Sequence, residues 1–164
     1  MKVVNAAHED SEQWLQLAAE VEYLFGPMVE VPDFLDALHK SIEMGRAFCI
    51  RENDEGPGAP LLGGVFFSSS SAPLYKIHWL SVSSRAREQG VATAILRHIL
   101  RLVHPPAEVL VTTFGEDIAD GQPARRLYQK FGFVPLDEAV PNGPEGGSRQ
   151  KFKLSINDSD LQVQ

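Results

Sequence analysis

Apolar residues recur at helical spacing in two successive stretches near the amino-terminal end of the chain. The stretches predict two helices, the first with the apolar positions Trp14, Leu15, Ala18, Val21 and Phe25 and the second with Phe34, Leu35, Leu38 and Ile42. Pro32 is expected to begin the second helix and Gly45 to end it, because proline fits the first helical turn and glycine follows the last one. A short strand at residues 2–6 is predicted before both helices.

Strands and helices alternate along the rest of the chain. Runs rich in β-branched and aromatic residues predict strands at residues 46–51, 61–69, 74–82, 109–113 and 150–156. Helical spacing returns after Gly90 and after Pro123, and Gly132 is expected to cap the later helix. This succession of strands and helices predicts an α/β (α+β layered) fold, with one domain at residues 1–156 and a polar tail at 157–164.

Charge is distributed unevenly along the chain. The formal net charge of −7 argues against binding to nucleic acid, because the phosphate backbone requires a basic face. Residues 1–60 hold 12 acidic residues against 4 basic ones, so this region suits a cationic ligand and the more basic remainder suits a phosphate-bearing one. The alternative is that the acidic surface serves solubility alone.

Several classes of site and location are excluded by what the sequence does not contain. The chain has no run of the roughly 20 apolar residues that span a bilayer and no apolar leader, so we expect a cytoplasmic protein with no membrane partner. The single cysteine, Cys49, lies in an apolar segment and is expected to be buried and non-catalytic. The histidines and serines show neither metal-site nor triad spacing, so no metal is expected.

A polar loop with a glycine connects the strand that ends near Val82 to the next helix. Its second half reads Arg87-Glu88-Gln89-Gly90-Val91-Ala92-Thr93. The first N–H groups of a helix lack internal partners and carry partial positive charge, so this segment predicts a site for an anion such as a diphosphate. The alternative is a turn in which the glycine serves only the backbone. Neither a P-loop nor a Rossmann glycine pattern is present, which argues against ATPases and dinucleotide-binding proteins.

Two motifs resemble those of the GNAT superfamily of N-acetyltransferases. Leu80-Ser81-Val82 followed by Arg87-x-x-Gly90-x-Ala92 is similar to its acetyl-CoA motif, and residues 124–133 are similar to its second signature. The resemblance implies the GNAT acyl-CoA N-acyltransferase fold, a mostly antiparallel central sheet flanked by helices. It also implies that Leu80 and Val82 contact the pantetheine arm of acetyl-CoA and that residues 87–93 hold its pyrophosphate.

Two side chains are candidates for the chemistry of acetyl transfer. His78 could accept the proton of the acceptor amine directly or through a water, or it could be hydrogen-bonded within the sheet. Glu116 and Asp117 are second candidates for this base. Tyr128 could donate a proton or a hydrogen bond to the departing CoA thiolate, and the family resemblance favours this role over packing in its helix.

The predicted function is an acetyl-CoA-dependent N-acetyltransferase that transfers its acetyl group directly to a primary amine in a ternary complex. The acidic first 60 residues favour a cationic acceptor, which leaves a polyamine, an arylalkylamine, a protein lysine or an amino terminus open. Residues 78–82 and 127–133 also resemble arylalkylamine (serotonin) N-acetyltransferases, although Lys76 replaces a second histidine and Gly121 an asparagine common in the superfamily. The alternative is a non-catalytic acyl-CoA sensor or interaction domain. The resemblance is also compatible with a homodimer.

Overall fold

The computed structural model of the protein describes residues 1–136, 139–141 and 147–158. Helices in these residues are α1 (Ser11–Phe25), α2 (Pro32–Glu43), α3 (Val91–Leu100) and α4 (Gln122–Lys130). The strands are β1 (Val3–Asn5), β2 (Ala47–Arg51), β3 (Leu61–Ser71), β4 (Leu74–Val82), β5 (Ala107–Phe114), β6 (Val134–Pro135), β7 (Val140–Pro141) and β8 (Ser148–Ile156). None of the helices in the described residues is long and apolar enough to cross a bilayer.

The strands form an eight-stranded sheet in the order β1-β2-β3-β4-β5-β8-β6, with β7 paired to β8. Antiparallel pairing joins β1 to β2, β2 to β3, and β8 to β5, β6 and β7. β4 and β5 run parallel, with a register that extends from Leu74 opposite Glu108 to Ile77 opposite Val111. The mostly antiparallel sheet with helices confirms the predicted fold class.

The chain divides into two compact units. The first comprises Met1–Phe67 and Trp79–Leu102, and the second comprises Ser68–His78 and Val103–Gln164. The prediction of a single domain at residues 1–156 stays a prediction. Of the predicted polar tail, all but Asn157 and Asp158 lies outside the described residues.

The core of the first unit is built around aromatic rings. Trp14 of α1 is fully buried, its ring stacks on Phe66 of β3 at 5.2 Å, and it lies 5.7 Å from the ring of Trp79. A Cβ at Gly64 would lie 2.7 Å from the Trp14 ring, so this glycine lets α1 pack directly on β3. Cys49 is also buried, and burial raises the pKa of its thiol to about 12, which confirms the prediction of a buried cysteine and leaves the thiol protonated.

The second unit is organised by β5 and β8, which pair along eight consecutive residues. Val109 of β5 and Phe152 of β8 are fully buried, and Phe133, which follows α4, is 1% exposed. Apolar side chains of β5, of β8 and of the residue that follows Gly132 are thus buried in the second unit.

Several element boundaries differ from the predictions, among them the ends of β3 and α3. β3 continues to Ser71 instead of ending at residue 69, because the exposed serines at its end carry no apolar pattern on which a prediction could rest. α3 ends at Leu100, before Val103, which the helical spacing included. The Leu102 N–H donates to the Ile99 carbonyl in a tighter turn, and Val103 is buried outside the helix.

Candidate functional site

The loop between β4 and α3 (residues 83–90, the β4–α3 loop) turns the chain with two left-handed residues. After the 3-10 turn Ser84–Ala86, Glu88 and Gly90 adopt φ angles of 64° and 85°. Glycine adopts this backbone at little cost, which explains why Gly90 occupies the last position before α3. The predicted helix start directly after Gly90 is confirmed.

The amino-terminal end of α3 has no side-chain cap. Gly90 is the N-cap residue, and its carbonyl accepts the first helical hydrogen bond from the Ala94 N–H at 3.0 Å. The N–H groups of Val91, Ala92 and Thr93 therefore have no partner within the helix. No described atom lies within 4 Å of a Cβ built at Gly90, so the space beside this residue is open. Backbone donors at an open helix start suit an anion.

Gly63 of β3 brings the start of α3 close to the sheet. A Cβ at Gly63 would lie 2.7 Å from Val91 Cγ1 and 3.2 Å from Ile95 Cδ1, so a larger residue would displace the helix. Val91 and Ile95 are themselves almost completely buried. The sequence pattern did not single out Gly63, because only the tertiary structure shows which element packs against it.

Two side chains of α1 contact the β4–α3 loop. Glu20 accepts hydrogen bonds from the Ser83 hydroxyl at 3.1 Å, the Ser84 hydroxyl at 2.7 Å and the Ser84 N–H at 3.1 Å. Burial opposes ionisation of Glu20, but these hydrogen bonds outweigh it and lower the pKa of the carboxyl. The Arg87 guanidinium donates to the Tyr23 hydroxyl at 3.2 Å. The sequence reasoning missed both contacts, because Glu20 and Tyr23 resemble residues of a solvated helix face.

The two arginines of the β4–α3 loop differ in their partners. The Arg85 guanidinium donates to the Ser83 hydroxyl at 2.9 Å and to the Leu61 carbonyl at 3.3 Å, and lies 3.7 Å from the Glu52 carboxylate. In the described part of the chain, Arg87 forms no ion pair and contacts the neutral hydroxyl of Tyr23. The charge of Arg87 is therefore the one left to attract an anion to this loop.

β4 alternates buried with more exposed side chains along its whole length. Tyr75, Ile77 and Trp79 are buried, whereas the intervening His78 is exposed. The strand ends with Leu80 and Val82 half-buried on either side of the buried Ser81. Among the described residues, the Ser81 hydroxyl has no hydrogen-bond partner. This regular alternation puts His78, Leu80 and Val82 on the same face of the strand.

α4 of the second unit carries Tyr128. Pro123 lies in the first turn of this helix, and Gly132, with φ 98°, follows its end, as predicted. Tyr128 is 4% exposed, and its ring makes an edge-to-face contact with Phe133 at 5.4 Å. Burial raises the pKa of Tyr128 above its ordinary value. The hydroxyl therefore stays protonated at neutral pH and can donate a hydrogen bond.

A buried arginine anchors α4 one turn before Tyr128. Arg125 is 4% exposed, and its Nη1 donates to the Phe114 carbonyl at 2.8 Å and to Gln150 Oε1 at 2.7 Å. The guanidinium also lies over the Phe152 ring, 5.0 Å from its centroid. These contacts hold α4 against β5 and β8, so they fix the helix that carries Tyr128.

The two acidic residues after β5 are engaged in local contacts. Glu116 Oε1 lies 3.5 Å from Arg125 Nη2, and Asp117 accepts a hydrogen bond from the Ser148 hydroxyl. Both carboxylates thus have structural partners within the second unit. Among the described residues, no group of three metal-ligating side chains could hold a metal ion.

Comparison with known families identifies the fold. The sequence profile described as "Acetyltransferase (GNAT) domain" matches residues 44–135, more than half of the chain. The chain belongs to the GNAT acetyltransferases. The matched range includes β4, the β4–α3 loop and α4, and therefore both motifs that carried the resemblance. No curated protein sequence matches the chain significantly.

Solved GNAT structures share the fold of the whole chain. Ard1 from Thermoplasma volcanium is 18% identical with a TM-score of 0.73, over 96% of this chain and 98% of its own. A GNAT family acetyltransferase from Bacillus cereus ATCC 10987 is 17% identical with a TM-score of 0.69, over 94% and 96%. Arabidopsis thaliana Naa50, in complex with the bisubstrate analogue CoA-Ac-MVNAL, is 16% identical with a TM-score of 0.68, over 94% and 98%. At these identities the similarity establishes the fold alone.

The structure gives a steric reason for one departure from the GNAT pattern. Gly121 stands where many members have an asparagine, and a Cβ built at this position would lie 2.3 Å from Phe114 Cβ. The end of β5 and the start of α4 approach each other too closely for a side chain there. A pantetheine contact from residue 121 would therefore have to come from its backbone.

Proposed function

We propose that this GNAT protein is an acetyl-CoA-dependent N-acetyltransferase that acts on a primary amine. The observation that carries the proposal is the uncapped start of α3, where left-handed Gly90 leaves three backbone N–H groups without helical partners. Two proteins of similar fold were solved with CoA groups: Naa50 with CoA-Ac-MVNAL and the NatC complex with Gag peptide and CoA. These structures support CoA as a ligand of this fold.

Residues 87–93 would hold the diphosphate of acetyl-CoA. Their backbone N–H groups and the helix dipole supply partial positive charge, and Arg87 adds a full one. Residues 80–82 would bind the pantetheine arm through their backbone.

Acetyl transfer requires a neutral amine, whereas an alkylamine has a pKa of about 10.4 and is mostly protonated at pH 7. We propose that His78 accepts this proton directly or through a water, which its exposure permits. The amine nitrogen then attacks the thioester carbon to form the C–N bond. The nitrogen of the tetrahedral intermediate then loses its second proton to solvent. The C–S bond breaks as the intermediate collapses, and the electron pair leaves with the CoA sulfur.

Tyr128 would stabilise the departing thiolate. With ordinary pKa values of about 10 for tyrosine and about 8.5 for a thiol, full proton transfer is uphill by roughly 2 kcal/mol. Burial raises the pKa of Tyr128 further, which makes full transfer still less favourable. We therefore propose that Tyr128 donates a strong hydrogen bond to the sulfur. The thiolate is then protonated by solvent or by the protonated base.

The acceptor is proposed to be a cationic small molecule or a peptide or protein amine. Glu30, at the connection between α1 and α2, and Asp33 and Asp36 of α2 are all exposed. Glu22 accepts hydrogen bonds from the Met28 N–H at 2.6 Å and the Val29 N–H at 3.3 Å, which orders the same connection. An ordered segment with exposed carboxylates favours a positively charged acceptor.

Release of CoA thiol with acetyl-CoA and a panel of amines tests the proposal. The panel contains a polyamine, an arylalkylamine, and peptides with a free amino terminus or lysine, and we expect at least one to accelerate release. His78→Ala should be slow near neutral pH and approach the parent as the pH nears the pKa of the amine. If the protein binds acetyl-CoA but releases no thiol with any amine, the proposed enzyme activity is overturned and the role of an acyl-CoA sensor is supported.

Gly90→Glu should weaken CoA binding at least tenfold by calorimetry. The substitution places a side chain on a left-handed residue, which costs about 1–2 kcal/mol, and adds negative charge beside the diphosphate. Gly90→Ala is the matched control, because it has the same backbone cost without the charge. The difference between the two variants should shrink in high salt. Equal affinity of Gly90→Glu and the parent would contradict this location of the diphosphate.

A further inference from the structure

The carboxylate of Glu20 accepts hydrogen bonds from three donors at the start of the β4–α3 loop. Its oxygens accept from the Ser83 hydroxyl, the Ser84 hydroxyl and the Ser84 N–H at 2.7–3.1 Å. Ser83 is fully buried, and its N–H donates to the Leu62 carbonyl at 2.8 Å, which ties the same residue to β3. The first residues of the loop are thus held from two sides, by α1 and by β3.

A carboxylate in this location is electrostatically unfavourable for a loop that binds an anion. Like charges repel, so Glu20 by itself would weaken the binding of a diphosphate. The carboxylate instead accepts hydrogen bonds from the two serines, and the charge of Arg85 also favours its ionised form. Its contribution is therefore geometric, because a charge-assisted acceptor orders the loop before any ligand arrives.

Tyr23 contacts the later part of the same loop. It lies three residues after Glu20 on α1, so both side chains emerge from one face of the helix. The Tyr23 side chain is 61% exposed, and its hydroxyl accepts from Arg87 Nη2 at 3.2 Å. An exposed arginine otherwise samples many rotamers, and this contact restricts them.

We infer that Glu20 and Tyr23 are positioning residues for the binding of CoA. Glu20 fixes the start of the β4–α3 loop, and Tyr23 orients Arg87 toward the diphosphate. The inference rests on the proposed function, in which this loop binds CoA. Preorganisation lowers the ordering cost that binding must overcome, so its loss appears in the affinity for CoA. α1 thereby acts on donor binding without a residue of its own in the CoA motif.

Calorimetry with CoA on four variants tests the inference. Glu20→Ala should raise the Kd about tenfold, or 1.4 kcal/mol, and Tyr23→Phe about two- to threefold. The Kd of Glu20→Gln should lie between those of Glu20→Ala and the parent, because the glutamine amide keeps one acceptor oxygen. Glu12→Ala is the control, since Glu12 is an exposed acid on the same helix, and its Kd should match the parent. Tighter binding by Glu20→Gln than by the parent would overturn the inference in favour of charge repulsion.

Two further readouts separate positioning from a general loss of structure. The KM for acetyl-CoA should rise in Glu20→Ala while kcat stays within about twofold of the parent. In the absence of CoA, hydrogen exchange of Glu20→Ala should be faster than that of the parent at residues 83–90 and equal to it in β5 and β8. If the parent binds CoA and both Glu20→Ala and Tyr23→Phe bind it equally well, only the positioning role is overturned. A parent that binds no CoA overturns the proposed function and this inference together.

Discussion

Tyr128→Phe should lower kcat about 100-fold and leave the KM for acetyl-CoA within about twofold of the parent. General acid catalysis contributes typically 100- to 10,000-fold, and a hydrogen bond to the thiolate belongs at the lower end. Phenylalanine keeps the buried ring and its edge-to-face contact with Phe133, so only the hydroxyl is lost. Steady-state kinetics with the best amine of the panel measure the effect, and thermal denaturation checks that the fold is retained.

Tyr75→Phe is a matched control for this substitution. Tyr75 is a buried tyrosine of the same unit, 3% exposed, whose hydroxyl accepts from the His104 N–H at 3.2 Å. Loss of that hydrogen bond is expected to cost about 1 kcal/mol of stability and to leave kcat unchanged. Parent-like turnover in Tyr128→Phe would assign Tyr128 to packing alone, without affecting the family assignment.

Asp10→Asn should lower the free energy of unfolding by about 3–5 kcal/mol, because it breaks a buried ion pair on one side. The Asp10 carboxylate is fully buried and accepts from Arg51 Nε at 3.0 Å and Nη2 at 2.7 Å. It also accepts from the Ala7 N–H at 2.8 Å and the Gly58 N–H at 3.0 Å. The asparagine would leave the Arg51 guanidinium buried without its counter-charge. Urea denaturation at neutral pH measures the change.

The pH dependence of this effect follows from the pKa of Asp10. Burial would raise the pKa, but the hydrogen bonds from Arg51 and the backbone outweigh it, so the folded-state pKa lies below its ordinary value. The pair therefore stabilises the fold fully above the unfolded pKa of about 3.9, and this stability is lost as the pH falls through the lower folded pKa. The difference between Asp10→Asn and the parent should shrink in that acidic range. An equal difference at pH 7 and pH 3 would contradict the ion-pair explanation.

Asp36→Asn is the control for Asp10→Asn. Asp36 is exposed on α2, so its substitution should change the free energy of unfolding by no more than about 0.5 kcal/mol. A large effect there would show that the loss of an acidic charge, rather than of the buried pair, lowers stability.

Periodicity predicted the elements of this protein where one face of each is buried. α2 begins at Pro32, and β4 has both predicted ends, because proline and a run of β-branched and aromatic residues act locally. The predicted ends of β3 and α3 were wrong, because β3 continues further and α3 ends earlier than expected. In both cases the outcome depends on sheet pairing and on the burial of Val103, which local spacing does not contain.

The sequence by itself determined the two motifs that resemble the GNAT pattern and the helix start after Gly90, because a motif and a glycine before a helix depend on neighbouring residues only. It also identified Tyr128 as a candidate through its place in the second motif. The tertiary structure alone decided how the β4–α3 loop is held. Glu20 and Tyr23 contact this loop from α1, and Gly63 of β3 lies against the start of α3. These contacts join residues more than 20 positions apart, and long-range contacts of this kind leave no periodic signal in the chain.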